Sequence, residues 1–324
     1  MACMTQRGLK IFGLTIALFF VPALASSQNY PNKPINIYCG SEAGATLDLT
    51  TRALSKGAEK LLGVPLVVEN KPGGVGTIAA SLLATKEPDG YTLGFISTGA
   101  LNVRPHLLSL KYKPLQDFTF ILQFSRFIGS LCVLSESPFE TIDDFISYAK
   151  THPGLSYGSP AKYGQNHLAI ELLAQCKGLT FRHVPFKGGA PANTALLGKH
   201  TDFVAGSGGS IQYVKQGLFR VLLLINTEKR DPHFPNVPTL KDLGCEDAPP
   251  STYIIVGPKG IPDEIYKRIS EAFKKVADGA DFQDLLEKFD LPYDFKDGTQ
   301  LEKIVKHDYE WYRIFLKKFG ATKD

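Results

Sequence analysis

Apolar strand-like runs alternate with helical patterns along almost the whole chain. The run at 34–39 precedes a helical pattern over 46–62, and the runs at 65–70 and 91–97 enclose a second helical segment. Such an alternation favours parallel strands covered by helices, because each helix carries the chain back to the start of the next strand. The sequence therefore predicts an α/β fold with mainly parallel sheets.

The alternation continues to the C-terminus without a Pro- or Gly-rich linker. Further strands are predicted at 128–135, 155–159, 181–186, 201–207, 219–227 and 252–258, and C-terminal helices at 262–277 and 299–319. Two domains without a linker would require more than one crossing of the chain between them. The long apolar strands near 128–135 and 219–227 are the candidates for those crossings.

Local signals predict where individual helices begin and end. Thr46 is expected to cap the first helix, with Asp48 in its first turn, and Gly63 to end it. Thr141 and Asp144 have the spacing of a capping box, which predicts a helix that runs to about residue 151.

The first residues have the pattern of a secretory signal. Arg7 and Lys10 precede an apolar run over 11–24, and Ala23-Leu24-Ala25 is typical of a cleavage site. The run is shorter than the roughly 20 apolar residues of a membrane anchor. We therefore expect 1–25 to be a cleaved signal peptide and the mature protein to be secreted; an uncleaved anchor is the alternative.

The mature chain is close to neutral. The net charge of the whole chain is +4, and removal of Arg7 and Lys10 with the signal peptide leaves +2. A value this small implies no nucleic-acid partner and no role at a charged membrane surface. The remaining length suffices for two ordinary domains.

Four cysteines follow the signal peptide: Cys39, Cys132, Cys176 and Cys245. An oxidising compartment permits disulfides, but a chain of this length does not need one to fold. We expect free, mostly buried thiols. No C-x-x-C pair occurs and the histidines are scattered singly, so neither a metal site nor another cofactor is expected.

The stretch VVENKPGGVGTIAA contains Gly74-x-Gly76-x-x-Ala79, the spacing of a dinucleotide-binding turn. Two requirements of such a turn are not met. Four residues, 69–72, separate the strand from the first glycine, and the next strand ends in Ser97-Thr98 without an acidic residue. We expect a tight strand-to-helix turn in which Gly74 and Gly76 serve folding more than binding.

A nucleophile elbow is the main enzymatic alternative. The segment 205–209 follows a strand and would present Ser207 as the nucleophile of a secreted α/β hydrolase. The first glycine of the motif is missing, and no helical pattern is recognisable directly after it. Nothing in the sequence orders an acid and a histidine beside Ser207.

Two polar loops precede helices in different halves of the chain. The first covers 40–48 and the second 159–167. A helix N-terminus offers unpaired N–H groups and a partial positive charge, so it favours an anion. If two domains face each other, both helix ends could hold one carboxylate-bearing molecule from opposite sides.

The order of several motifs resembles the substrate-binding receptors of tripartite tricarboxylate transporters, the Bug family of periplasmic binding proteins. The matching segments are Ala43-Gly44-Ala45-Thr46-Leu47-Asp48 with Arg52, Asn70-Lys71-Pro72-Gly73-Gly74-Val75-Gly76, Pro88-Asp89-Gly90-Tyr91-Thr92-Leu93, Val184-Pro185-Phe186-Lys187-Gly188-Gly189-Ala190 and Asn236-Val237-Pro238-Thr239. Together they cover roughly 30–320.

The resemblance implies a receptor of the type II-like, Venus-flytrap class, in which two domains close around a small mono- or dicarboxylate. Domain 1 would hold 29–128 and 230–324, and domain 2 would hold 129–229. It implies a monomer that serves membrane permease subunits, or alternatively a sensor protein, and that is not an enzyme. Carried over by position, the binding residues would be Ala43, Gly44, Ala45, Thr46, Asp48, Ser159, Gly164, Gln165, Asn166 and His167, with Ser97, Thr98, Lys187, Gly188, Gly206 and Ser207 as weaker candidates at strand ends.

The chain departs from the family pattern within both loops. Ala45 stands where the family usually has a glycine, and Glu42 would repel an anionic ligand if it faced the cleft. Tyr163 replaces another common glycine and could stack on an aromatic acid. Asp48 also has a purely structural interpretation, as an acidic residue matched to the helix dipole.

Overall fold

The computed structural model describes residues 30–206, 208–227, 229–246 and 248–321. The predicted signal peptide and Ser207 lie outside these ranges. Within them, no helix combines the length and apolar character needed to cross a membrane.

The described chain contains eleven strands, most of them rich in β-branched and aromatic residues. Their bounds are β1 Ile35–Cys39, β2 Leu66–Asn70, β3 Thr92–Ser97, β4 Phe118–Arg126, β5 Gly129–Leu134, β6 Leu155–Ser159, β7 Phe181–Pro185, β8 Phe203–Gly206, β9 Phe219–Ile225, β10 Thr252–Pro258 and β11 Tyr293–Asp297.

Helices fill most of the connections between these strands. Their bounds are α1 Thr46–Leu62, α2 Thr77–Leu83, α3 Gly99–Asn102, α4 Arg104–Leu107, α5 Ile142–Thr151, α6 Gln165–Lys177, α7 Gly189–Leu197, α8 Gly208–Lys215, α9 Asp263–Ala277, α10 Ala280–Lys288 and α11 Gly298–Lys318. A 3₁₀ turn at Gly74–Gly76 leads into α2.

The strands form two mixed sheets. The first has the order β11-β4-β10-β3-β1-β2 and the second the order β7-β6-β8-β5-β9. Strands joined by helices pair in parallel, as predicted: β1 with β2 and β3, and β6 with β7 and β8. The other strand pairs are antiparallel and involve β4, β5, β9, β10 and β11. Both sheets are therefore mixed and not mainly parallel.

The chain passes between the sheets at two places. It leaves the first sheet after β4 and enters the second at β5, so the first crossing is the short segment 127–128. It returns after β9 through 226–251, and Phe127 N donates to Ser251 O at 2.8 Å, which joins the two crossings. The strands predicted at 128–135 and 219–227 lie next to the crossings. The first corresponds to β5, which follows the first crossing, and the second to β9, which precedes the return.

The hydrophobic core under the second sheet includes residues from beyond its strands. Leu240 and Ala248 from the return segment and Tyr312 and Leu316 from α11 are buried in the same cluster as Tyr157. The strands of the second sheet come from 129–225, but the C-terminal part of the chain contributes to its packing. The domain boundaries proposed from the sequence stay a prediction.

Three of the four predicted helix signals are confirmed, and one of them is Asp48 in the first turn of α1. Gly63 ends α1 in the left-handed conformation at φ 77°, and Thr141 and Asp144 form the capping box of α5. The expected cap at Thr46 is wrong, because Thr46 is already the first helical residue and Ala45 precedes it without a side-chain cap.

The prediction of free thiols is correct for Cys39 and Cys132, which are buried. It is wrong for Cys176 and Cys245, which form a disulfide across 69 residues of sequence. Spacing along the chain could not reveal this bond, because the fold alone brings the end of α6 beside the return segment. Lys177 Nζ donates to Leu243 O at 2.8 Å next to the disulfide.

Candidate functional site

A cleft of about 290 Å³ opens where loops from the two sheets meet. The first sheet contributes the ends of β1 and β3, the start of α1, the turn before α2, and β10. The second contributes the loop before α6 and its first turn. The lining residues are Gly40, Ser41, Leu47, Val75, Ser97, Phe127, Pro160, Ala161, Gly164, Gln165, Asn166, His167, Ser251 and Tyr253.

Asp48 organises the loop between β1 and α1. Its side chain is only 2% exposed and accepts from Gly44 N at 2.8 Å, Arg52 Nε at 2.9 Å and Asn70 Nδ2 at 2.8 Å. Asn70 also donates to Ser41 O at 3.0 Å. Burial raises the pKa of Asp48, but the hydrogen bonds from Arg52, Gly44 and Asn70 outweigh it and leave the pKa below its ordinary value.

This network joins two of the sequence segments that carry the family resemblance. Asp48 and Arg52 belong to the first matching segment and Asn70 to the second, and the three side chains form one hydrogen-bonded unit. Asp48 therefore has a structural role in fixing the loop.

Tyr253 lies close to the start of α1, which has no side-chain cap. Tyr253 is buried, and its hydroxyl lies near the Leu47 backbone. Burial raises the pKa of Tyr253, so the phenol stays neutral. The ring of Phe127 packs edge-on against Tyr253, with ring centroids 4.5 Å apart, and both rings line the cleft.

The glycine-rich stretch forms the tight turn that was predicted. Gly74 and Gly76 adopt φ values of 58° and 90°, and an added Cβ on Gly40 would lie 3.2 Å from the Cα of Gly76. The turn therefore packs directly against the first loop. Val75, between the two glycines, lies at φ 61° and lines the cleft with 40% of its surface exposed.

A buried polar cluster supports the loop between β6 and α6. Ser159 Oγ lies 2.7 Å from His183 Nε2 and 3.2 Å from Ala161 O. The Tyr163 backbone N–H donates to His167 Nδ1 at 3.1 Å, which leaves the proton of a neutral imidazole on Nε2. Tyr163 itself packs edge-on against His167 and is not among the cleft-lining residues.

The two histidines of this cluster stay neutral near pH 7. Burial lowers the pKa of His167 to about 3, with contributions from His183 and Lys162, and lowers the pKa of His183 to about 4, with a contribution from Lys162. Burial also raises the pKa of the neighbouring Glu171. His167 therefore offers the cleft a neutral ring.

The first turn of α6 presents amide groups to the cleft. Asn166 is held by hydrogen bonds to Gly206 O at 2.6 Å and from Asn226 Nδ2 at 2.9 Å. Gln165 is 8% exposed, and its Nε2 has no hydrogen-bond partner among the described residues. Its side chain reaches the start of α3, directly after β3, since an added Cβ on Gly99 would lie 3.3 Å from that nitrogen.

The predicted binding residues divide into two groups. Those on the cleft wall are Ser97, Gly164, Gln165, Asn166 and His167. Those outside the wall are Ala43, Gly44, Ala45, Thr46, Asp48, Thr98, Ser159, Lys187, Gly188 and Gly206.

Most members of the second group lie close to the wall and shape it. Thr98 Oγ1 accepts from Thr252 N at 3.0 Å, and Gly188 N donates to Pro160 O at 3.0 Å. Lys187 is exposed. Ser207 lies outside the described residues, and α8 begins directly after it at Gly208, where the sequence indicated no helix.

Sequence reasoning missed the apolar wall of the cleft. Ser41, Pro160 and Ala161 line the cleft and belong to the two polar loops identified from the sequence, but they were not among the predicted binding residues. Phe127, Ser251 and Tyr253 lie at the crossings and on β10, and no local signal marks them. Their position depends on which strands become neighbours.

The cleft has no side chain with a full positive charge among the described residues. Neither Lys nor Arg lines it, and His167 is neutral. No group of three or more potential metal ligands occurs in the described part of the chain either. Any anion bound here must be held by backbone N–H groups, amides and hydroxyls.

Comparisons with known proteins agree with this architecture. The family model TctC, described as tripartite tricarboxylate transporter family receptor, matches residues 50–320. A protein from Cupriavidus necator, named for its position in the gbd 5′ region, is 34% identical over 98% of this chain and 97% of its own length.

Solved structures share the fold. A TctC solute-binding protein from Polaromonas, without ligand, has 27% identity and a TM-score of 0.77 over 89% of this chain and 99% of its own. The R. palustris protein Rpa4515, solved with adipate, has 24% identity and a TM-score of 0.79 over 90% and 99%. The resemblance seen in the motif order is thus confirmed: the chain belongs to the tripartite tricarboxylate transporter receptor family, whose members are solute-binding receptors and not enzymes.

Proposed function

We propose that the mature protein is a periplasmic receptor that captures a small carboxylate in the cleft and delivers it to a tripartite tricarboxylate-type permease. The observation that carries the proposal is the start of α6, which opens on the cleft without a side-chain cap. Beside it, the Nε2 of Gln165 has no hydrogen-bond partner among the described residues. Free N–H groups at a helix N-terminus favour a carboxylate.

Membership of a receptor family and the adipate in the Rpa4515 structure support this ligand class. The cleft lies between loops of two sheets that are joined by two adjacent crossings. A ligand held by both sets of loops would favour a closed arrangement of the two halves. The closed form would be the one that a permease recognises.

Ligand capture is tested by thermal unfolding of the purified mature protein with a panel of mono- and dicarboxylates. An acid at a hundred times its Kd should stabilise the folded state by about 2.7 kcal/mol, which raises the melting temperature by several degrees. Native mass spectrometry of freshly purified protein should show a co-purified acid. No shift with any acid, together with no co-purified acid, would contradict the proposal.

Delivery is tested separately, with uptake of the identified acid into cells that lack the receptor. Restoring the receptor should restore uptake if it serves a permease. Binding without any effect on uptake would instead favour a sensor protein as the partner.

A further inference from the structure

Val75 has a rare backbone conformation for its type of side chain. Its φ and ψ angles are 61° and 39°, which lie in the left-handed region. Within the described part of the chain five non-glycine residues have positive φ, and Val75 is the only one of them with a branched β-carbon. A β-branched residue in this region is an outlier that needs a specific cause.

The turn before α2 imposes this conformation on Val75. Gly73, Gly74 and Gly76 also have positive φ, at 116°, 58° and 90°, so four consecutive residues share this feature. The turn packs closely against the first loop, since an added Cβ on Gly40 would lie 3.2 Å from the Cα of Gly76. Glycine or asparagine would adopt the Val75 backbone at a lower conformational cost. The turn therefore explains the backbone angles but not the choice of valine.

Packing in the hydrophobic core does not explain the valine either. Val75 is 40% exposed, and it lines the cleft together with Phe127 and Tyr253. Residues held in sparsely populated backbone conformations cluster at ligand-binding sites, where the surrounding structure fixes them. The cleft is therefore the place where the Val75 side chain finds contacts.

Val75 presents hydrocarbon and no side-chain hydrogen-bonding group to the cleft. Contact with hydrocarbon on a bound molecule removes apolar surface from water, which is favourable. Contact with a hydroxyl group would remove that hydroxyl from water without a partner, which is costly. Polar residues elsewhere on the wall, such as Ser41, Ser97, Ser251 and Gln165, can hold one carboxylate or two. Val75 therefore discriminates at its own position and not by the number of carboxylates.

We infer, on the basis of the receptor function proposed above, that Val75 is a specificity-determining residue of the cleft. Its side chain packs against the carbon skeleton of the bound acid and favours an unsubstituted carbon next to it over a hydroxylated one. Leu47, Phe127 and Tyr253 line the same cleft and extend the apolar surface available to that skeleton. The conformational cost of valine at this position thus serves ligand selection.

Val75→Thr tests the contact, because threonine keeps the size and β-branching of valine and replaces one methyl group with a hydroxyl. Unfolding and refolding with the disulfide intact first removes any co-purified acid. Calorimetric titration then compares succinate with malate, butanoate with 3-hydroxybutanoate, and benzoate with 4-hydroxybenzoate, so that each pair differs by one hydroxyl group. For at least one pair, we expect the affinity of the unsubstituted acid relative to its hydroxylated partner to fall at least about threefold in the variant.

Val75→Asn separates ligand contact from folding. Asparagine adopts the left-handed region more readily than valine, so the ligand-free variant should melt no lower than wild type. It also removes hydrocarbon from the cleft wall, so adipate, or whichever acid of the thermal panel binds wild type most tightly, should bind at least about fivefold more weakly. A purely structural role would give the opposite result, a lower melting temperature with unchanged affinity. This variant also decides the question if wild type binds only an acid outside the three pairs.

Ile78→Thr is the matched control. Ile78 is an exposed apolar residue in the first turn of α2, close to Val75 in sequence, but it is not part of the cleft wall. The variant makes a comparable exchange of hydrocarbon for hydroxyl outside the cleft. It should leave the affinity of every acid, and the ratio within each pair, as in wild type. Circular dichroism of the ligand-free proteins establishes that all three variants are folded.

Folded Val75→Thr and Val75→Asn proteins that keep the wild-type ratios and affinities would overturn the role of Val75 and leave the receptor function intact. A wild-type protein that binds no acid, in the titrations or in the thermal panel, would overturn the receptor function and the role of Val75 with it. The two failures are therefore distinguishable.

Discussion

At the scale of single residues, Asp48 shows how a position suggested by a family motif can serve the scaffold. Its carboxylate accepts from Gly44, Arg52 and Asn70, and Asn70 extends the network to Ser41 O on the cleft wall. Asp48 therefore fixes the conformation of the loop without lining the cleft itself. The two roles weighed from the sequence, ligand binding and loop structure, both concern this loop.

We predict that Asp48→Ala lowers the free energy of unfolding by about 2–4 kcal/mol at pH 7, because it leaves Gly44 N, Asn70 and Arg52 without their buried acceptor. Urea denaturation measures the change. Asp143→Ala is the matched control, since Asp143 is an exposed acidic residue in the first turn of α5 and should cost less than about 1 kcal/mol. Equal losses in both variants would contradict the structural role.

The same prediction has a defined pH dependence. The folded pKa of Asp48 lies below its ordinary value of 3.8, so its contribution to stability is fully present above that pH. It is lost as the pH falls through the folded pKa. The difference between wild type and Asp48→Ala should therefore be constant from pH 7 to about 5 and shrink below about pH 4.

At the scale of helices and strands, local signals were reliable where the stabilising contacts are local. The α5 capping box lies within four residues, so Thr141 and Asp144 predicted it correctly. The start of α1 was misplaced by one residue, because its loop is fixed by Asn70 from the end of β2, which no local pattern contains.

Two strands, β4 and β11, were not predicted from the sequence. β4 is rich in apolar residues, but it follows the turns after α4 and no predicted helix leads into it. β11 is a short edge strand of mixed polarity, YDFKD, that pairs only with β4. Both run antiparallel to their neighbours in the first sheet, so the alternation of strands and helices could not predict them.

The histidine pair formed by His167 of α6 and His183 of β7 should make stability fall as the pH drops. His167 and His183 have folded pKa values of about 3 and about 4, against 6.5 for an ordinary histidine. Between pH 7.0 and 5.5 the unfolded chain takes up protons at these positions and the folded chain does not. We expect them to reduce the free energy of unfolding by about 2.5 kcal/mol over this range.

The measurement is urea denaturation at both pH values for wild type and for His167→Asn with His183→Gln. The double variant should show a smaller loss, since neither replacement titrates. Glu171 acts in the opposite direction, because its folded pKa is raised, but it is retained in both proteins. An identical loss in the two proteins would show that the histidine pair is not the source.

At the scale of the whole molecule, the cleft combines segments that are far apart in sequence. The loops before α1 and α6 were predictable because each lies between a strand and a helix with recognisable signals. Phe127, Ser251 and Tyr253 reach the cleft only because the crossings are adjacent and β10 pairs between β3 and β4. This is a property of topology, which explains why the polar half of the site was anticipated and the apolar half was not.

The disulfide is a second long-range feature of this kind. It joins the end of α6 to the return segment, whose residues Leu240 and Ala248 are buried in the core under the second sheet. A bond that closes a loop of this length restricts the unfolded chain and contributes about 2–4 kcal/mol in typical proteins. We therefore predict that Cys176→Ser with Cys245→Ser lowers the free energy of unfolding by about this amount.

Thermal and urea unfolding with and without reductant separate the bond from the side chains. Reductant should lower the melting temperature of wild type towards that of the double variant and leave the double variant unchanged, because Cys39 and Cys132 are free. If the variant unfolded at the same urea concentration as oxidised wild type, packing of the return segment against α6, including the Lys177 bond to Leu243 O, would be sufficient without the covalent link.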